Sequence, residues 1–125
     1  MDEPKLGVVE ARFAGIIWDR EPISSGELVR ICAKELEWKK STTYTVLKKL
    51  CERGFFSNED GQVRSLLSRE AYQAAQSRQF VEENYHGSLP AFFSAFSSGR
   101  KPSEQEVKEI RAMLDAWQGS EEKGV

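Results

Sequence analysis

Ser41, Thr42, Tyr44 and Thr45 fall within one short stretch, and Lys39, Lys40, Lys48 and Lys49 bracket them. Hydroxyls both donate and accept hydrogen bonds, a phenol adds a flat ring, and an ammonium is a compact positive charge. Short polar groups backed by amines suit the reading of double-stranded DNA: the hydroxyls reach base edges in the major groove and the lysines hold phosphates. The competing reading is a solvated helix face, polar only because water lies over it.

Other chemistry is thin. His86 is the single histidine, placed beside a helix break, and no Ser/His/Asp, HExxH or phosphate-loop pattern surrounds it. A capping or surface histidine is the simpler reading, which argues against an enzyme. Cys32 and Cys51 fall inside predicted helices and form no CxxC pair, so free, partly buried thiols in a reducing cytoplasm are expected. No cofactor or metal-ligand set is visible. Neither a membrane-length apolar run nor a signal peptide is evident in the 125 residues, which is the size of one domain or of a small domain with an appended helical element. A chain of this size buries roughly two-thirds of its unfolded surface, enough for a core without disulfides or metal.

The net charge of −2 looks wrong for a nucleic-acid binder until it is divided along the chain. Residues 1–29 carry three basic and six acidic side chains, whereas residues 30–53 carry seven basic and three acidic. Residues 54–69 balance at two against two, and residues 70–125 carry six basic and nine acidic. Local charge attracts phosphates, and here it collects on the second and third predicted helices.

The elements that must position this stretch can be taken in order. Met1 to Lys5 is expected to fray. Leu6, Val9, Phe13, Ile16 and Ile17 recur at helical spacing, Trp18 closes the run, and a helix is predicted from Leu6 to Arg20 before Pro22 breaks it. Ser24-Ser25-Gly26-Glu27 is a capping box that opens a second helix to about Leu36, with Leu28, Ile31, Cys32 and Leu36 inward. A short link leads to a third helix over 41–53, with Ser41 as expected N-cap, Thr43, Val46, Leu47 and Leu50 inward, and Gly54 as C′ residue. Two helices joined by a few residues make a helix-turn-helix. Phe55–Asn58 and Val63–Leu67 flank Asp60-Gly61, a two-residue hairpin turn, and so predict a wing with Arg64 on its second strand near the DNA backbone.

Beyond residue 67 the pattern is helical again. Ala71, Ala74, Val81 and Tyr85, with Phe80, mark one helix; Leu89, Phe92, Phe93 and Phe96 mark a second. Ser103-Glu104-Gln105-Glu106 caps a third that carries Val107, Ile110, Leu114 and Trp117, and the charged tail after Gln118 is expected to be disordered. Such apolar stripes must pack on the domain or on another chain, and dimerisation through them is the expectation. The predicted fold is therefore mainly α: a winged helix-turn-helix (three helices plus a β-hairpin wing) at 1–67, followed by a C-terminal helical dimerisation region at 68–125.

The sequence resembles the penicillinase-repressor (BlaI, MecI and CopY) family of winged-helix regulators. Val9-Glu10 with Ile16-Ile17-Trp18, Trp38 with Ser41 to Gly54, Gly87-Ser88-Leu89, and Pro102 to Val107 carry the likeness in order along the chain. The resemblance implies a cytoplasmic homodimeric repressor on a dyad operator, without membrane association and with room for a sensor or protease partner. It implies base reading by Ser41, Thr42, Tyr44 and Thr45, and subunit contact through Leu89, Phe92, Phe93, Phe96, Val107, Ile110 and Leu114. Three departures stand out. The cysteine pairs of the copper-responsive branch are missing near the C-terminus. The Asn-Phe bond cleaved in the β-lactam-responsive branch is matched by Ala95-Phe96. The strand over 63–67 lacks the family's usual tyrosines. The alternative function is a winged helix that binds protein rather than DNA, which a covered Lys39–Lys49 face would favour.

Overall fold

The computed structural model describes residues 4–124, with side chains described through Gly119. Helix α1 spans Val8–Arg20, strand β1 Ile23–Ser24, α2 Ser25–Glu35 and α3 Lys40–Glu52; strands β2, Phe56–Glu59, and β3, Gln62–Ser65, follow, then α4 Arg69–Tyr85, α5 Leu89–Gly99 and α6 Glu104–Gly124. These elements form two compact units, one through Phe80 and one from Val81 onward.

In the first unit three helices pack on a small antiparallel sheet of order β1-β3-β2. The hairpin closes at Asp60 and Gly61, both at positive φ, as a two-residue turn requires, with Glu59 opposite Gln62. β1 is an addition to the expected wing. Ile23 pairs with Val63, and the two side chains are buried together in the core, so the segment after Pro22 joins the sheet. β3 ends at Ser65 rather than Leu67, because the Leu66 and Leu67 N–H groups both turn back to the Phe55 carbonyl, at 2.8 and 3.2 Å. The core gathers Phe13 and Ile17 from α1, Leu28 and Cys32 from α2, Leu47 and Leu50 from α3, and Phe55, Phe56 and Val63 from the wing. A helix-turn-helix with such a wing is a winged helix-turn-helix.

The first unit runs past residue 67 because α4 contributes Tyr72 and Ala75 to it. The Tyr72 ring lies tilted to Trp18 at 5.7 Å and edge-on to Phe55 at 5.8 Å, and its hydroxyl accepts a hydrogen bond from the Leu6 N–H at 3.0 Å. This shifts the inner face of α4 from the expected one: Ala71 and Ala74 are exposed, whereas Ala75 is buried. A tyrosine serves the core once its polar tip finds a partner. The N-terminal approach is also held. Pro4 and Lys5 carbonyls accept from Gln76 and Arg53 side chains, so these two residues are not frayed; Met1 to Glu3 lie outside the described residues.

In the second unit α5 opens with Ser88 Oγ accepting from the Ala91 N–H, and α6 with the expected capping box, Ser103 Oγ to the Glu106 N–H and Glu106 Oε1 to the Ser103 N–H. α6 continues to Gly124, so the predicted disordered tail is helix. Good helix formers and glutamates dominate it, and no proline or turn residue pattern stops it before Gly119. Among the described residues no helix is long and apolar enough to cross a membrane.

Candidate nucleic-acid interface

Helix α3 is fixed from beneath. Thr43, Leu47 and Leu50 are buried, with Val46 half-buried beside them, and Gly54 at φ +86° ends the helix as foreseen. Its N-cap is Lys39 rather than Ser41 and makes no side-chain cap bond. The N-cap thus falls two residues earlier than expected, which places Ser41 in the first turn. There its carbonyl accepts the Thr45 hydroxyl at 2.9 Å. Buried Thr43 likewise returns its hydroxyl to the Lys39 carbonyl at 3.4 Å, which explains how a polar side chain is tolerated in the core.

The face turned outward carries Ser41, Thr42, Thr45 and Lys48, all exposed, with Lys39 and Lys40 exposed at the helix start. Tyr44 is half-buried, and its hydroxyl donates to Ser25 Oγ at 3.2 Å. Ser25 in turn donates its backbone N–H to the Gly61 carbonyl at 2.8 Å, which joins the start of α2 to the tip of the wing. Tyr44, Leu47, Lys48, Cys51 and Asn58 line a shallow cavity of about 400 Å³ between α3 and β2. Asn58 and Ser25 were not singled out from sequence. Asn58 pairs with Val63 in the hairpin, and that register was the only signal for it. Arg64 is exposed on β3 opposite Ser57, on the strand face turned away from buried Val63.

Lys49 sits differently from the other lysines. Its Nζ lies 3.2 Å from Glu10 Oε2, and Arg53 lies 3.6 Å from the other carboxylate oxygen. The Gly7 N–H, together with Lys49 and Arg53, holds the Glu10 carboxyl below its ordinary value, against an opposing effect of burial. Lys49 is still 63% exposed, so the pair is a surface one of modest strength. Burial pushes the Cys32 and Cys51 thiols up, the opposite direction from an activated thiolate.

In the second unit the predicted interface residues stand on α5 and α6. Leu89, Phe93, Phe96, Ile110, Leu114 and Trp117 are exposed, the last by 60%, while Phe92 and Val107 are half-buried. Phe92 meets Tyr85 edge-on at 5.6 Å and lies tilted to Phe96 at 6.2 Å. Leu89, Pro90, Phe93, Ile110, Met113, Leu114 and Trp117 surround a groove of about 450 Å³. Met113 is an addition to the predicted set; it lies one turn from Ile110 and Trp117 on the same helix.

A winged helix-turn-helix with an exposed hydroxyl-and-lysine helix defines the general class. The chain matches the penicillinase repressor family over residues 6–116 and belongs to that family of transcriptional repressors. The methicillin resistance regulatory protein MecI of Staphylococcus aureus is 23% identical over 115 residues, spanning 89% of this chain and 94% of the relative. The proteins of that name from Mammaliicoccus sciuri and Staphylococcus epidermidis are 22% identical over the same span.

Proposed function

We propose that this chain represses transcription as a homodimer bound to a dyad DNA operator, with α3 of each protomer in the major groove. The observation that carries the reading is the outward face of α3. Ser41, Thr42 and Thr45 stand free of the core on a helix that Thr43, Leu47 and Leu50 hold rigidly beside the wing. Rigid presentation matters because base readout needs donors and acceptors in fixed register. Lys39, Lys40 and Lys48 flank that face, and Arg64 on the wing supplies a further cation for phosphate. The relatives' name, a resistance regulatory protein, agrees with a regulator.

The second protomer follows from the apolar surface on α5 and α6. An apolar face of this kind is costly in water and is best covered by its own copy in a two-fold arrangement, which also matches a dyad operator. Binding-site selection with purified protein and random duplex DNA tests the reading: a palindromic site with half-sites ~34 Å apart is expected. Failure to enrich any sequence, with protein-only binding through the lysine face, would favour the protein-interaction alternative.

Induction without cleavage at Ala95-Phe96 is part of the proposal. The bond lies within α5, where the Ala95 carbonyl accepts the Ser98 hydroxyl at 2.8 Å, and alanine offers a specificity pocket no side-chain amide. A protease would have to unwind the helix locally to reach it. Intact mass during derepression should show full-length protein; a fragment ending at Ala95 would refute this.

A further inference from the structure

We propose that the concave surface between α3 and β2 seats one phosphate of the DNA backbone, held by Asn58 of the wing together with Lys48 of α3. The inference rests on the DNA reading above. Asn58 stands opposite Val63 in the hairpin, and Phe56 lies two residues before it, so the three side chains point to one face of the sheet. Phe56 and Val63 are fully buried, which makes this the face turned to the helices. Alternation therefore calls for an apolar side chain at 58, one that would extend the core over Leu47 and Cys51. An exposed asparagine stands there instead, a poor strand former whose side chain makes no hydrogen bond among the described residues. A local rule broken without structural gain points to function. Arg64 and Ser57 oppose each other on the other face, so Asn58 is the wing side chain that shares a surface with α3.

The chemistry of that surface suits an anion. Tyr44, Leu47, Lys48, Cys51 and Asn58 line it, and no carboxylate does among the described residues. Lys48 is exposed and forms no ion pair among the described residues, not even with Glu52 one turn on, whereas Lys49 is engaged by Glu10. The asparagine amide carries two N–H donors and can turn to present them, while a phosphodiester oxygen only accepts. Leu47 and Cys51 shield one side of the surface from water, which strengthens a charge-assisted bond formed over them. Burial pushes the Cys51 thiol up, so it adds no negative charge near neutral pH. A phosphate gripped from both elements would fix the register in which Ser41 and Thr45 meet the bases.

The test is binding of the full chain to the duplex it selects, with each backbone phosphate of one half-site replaced in turn by a neutral methylphosphonate. Wild type is expected to lose about tenfold at one phosphate, the weight of a hydrogen bond to a charged group. That penalty should shrink in Asn58→Ala and in Lys48→Ala and persist in Arg64→Ala. On unmodified DNA Asn58→Ala should lose about tenfold on selected and random-sequence duplexes alike, with base preference unchanged. Asn58→Asp should lose more, because its carboxylate repels the phosphate. Asn58→Leu should bind as poorly as Asn58→Ala yet melt no lower than the wild type, which separates binding from folding. Wild-type affinity in Asn58→Ala, a changed base preference in that variant, or a phosphate profile identical to that of the wild type would each overturn the inference while leaving the DNA reading intact. If the wild type selects no duplex at all, the DNA reading falls and takes the inference with it.

Discussion

Phe56, at the base of the wing, is fully enclosed, whereas Phe93, on α5, leaves 43% of its surface in water. The same contrast holds for aliphatic residues: Leu50 on α3 is fully buried, and Leu114 on α6 is 49% exposed. The first unit closes its core by joining residues far apart in sequence. Trp18 donates its indole N–H to the Leu67 carbonyl at 3.0 Å, and Ile23 meets Val63 across the sheet. Among the described residues of the second unit, Leu89, Phe93, Phe96, Leu114 and Trp117 remain exposed on helix faces. An amphipathic helix is stabilised mainly by what covers its apolar stripe. The first unit thus encloses its own core, whereas the second keeps apolar surface in water among its described residues.

The largest expected effect separates the two regions directly. Phe56→Ala should cost about 3–5 kcal/mol, equally at every protein concentration, because it opens a cavity in a closed core. Phe93→Ala or Leu114→Ala should instead lower the melting temperature mainly at high protein concentration and weaken self-association. Thermal melts over a hundredfold dilution series check this. Identical, concentration-independent losses in both regions would erase the distinction.

Within the first unit, Tyr44→Ala and Thr45→Ala should each cost about 1–3 kcal/mol on the selected site and relax preference at particular base pairs. Lys48→Ala should weaken all DNA similarly and reduce the salt slope by about one. Lys49→Ala should reduce it by less, since Glu10 already neutralises part of that charge. Binding titrations across a range of salt concentrations distinguish the three behaviours, and equal slopes for the two lysine variants would place Lys49 on phosphate after all.

Gly54→Ala should destabilise the first unit by about 1 kcal/mol, the cost of a left-handed conformation for a residue with a side chain. An added Cβ there would meet open space, so denaturant melts would read the backbone term alone. The smallest effect concerns acid. The folded-state pKa of Glu10 is lowered, so its contribution to stability is present above the ordinary value of 4.5 and disappears as pH falls through the folded value. Glu10→Gln should lower the stability of the first unit modestly at neutral pH and flatten its acid limb, so that variant and wild type converge at low pH. An unaltered acid limb would remove the Lys49 and Arg53 contacts from the folding balance.

The sequence by itself determined what local chemistry and periodicity can encode. The capping serines Ser24 and Ser103 start helices where expected, Gly54 and Asp60-Gly61 sit at positive φ, and the inward stripe of α3 is the one its spacing predicts. It also placed the hydroxyls of Ser41 and Thr45 on the outer face, since a helix of known phase leaves them nowhere else, whereas Tyr44, expected beside them, is half-buried. What it could not determine depends on contacts between residues distant in the chain. Only the tertiary structure paired β1 with the wing, made Tyr72 rather than Ala71 the inner residue of α4, tied Lys49 to Glu10 and leaned Tyr44 on Ser25. Periodicity is a property of one segment, but a partner is a property of two, and the energies that choose between partners are set by the packing that brings them together.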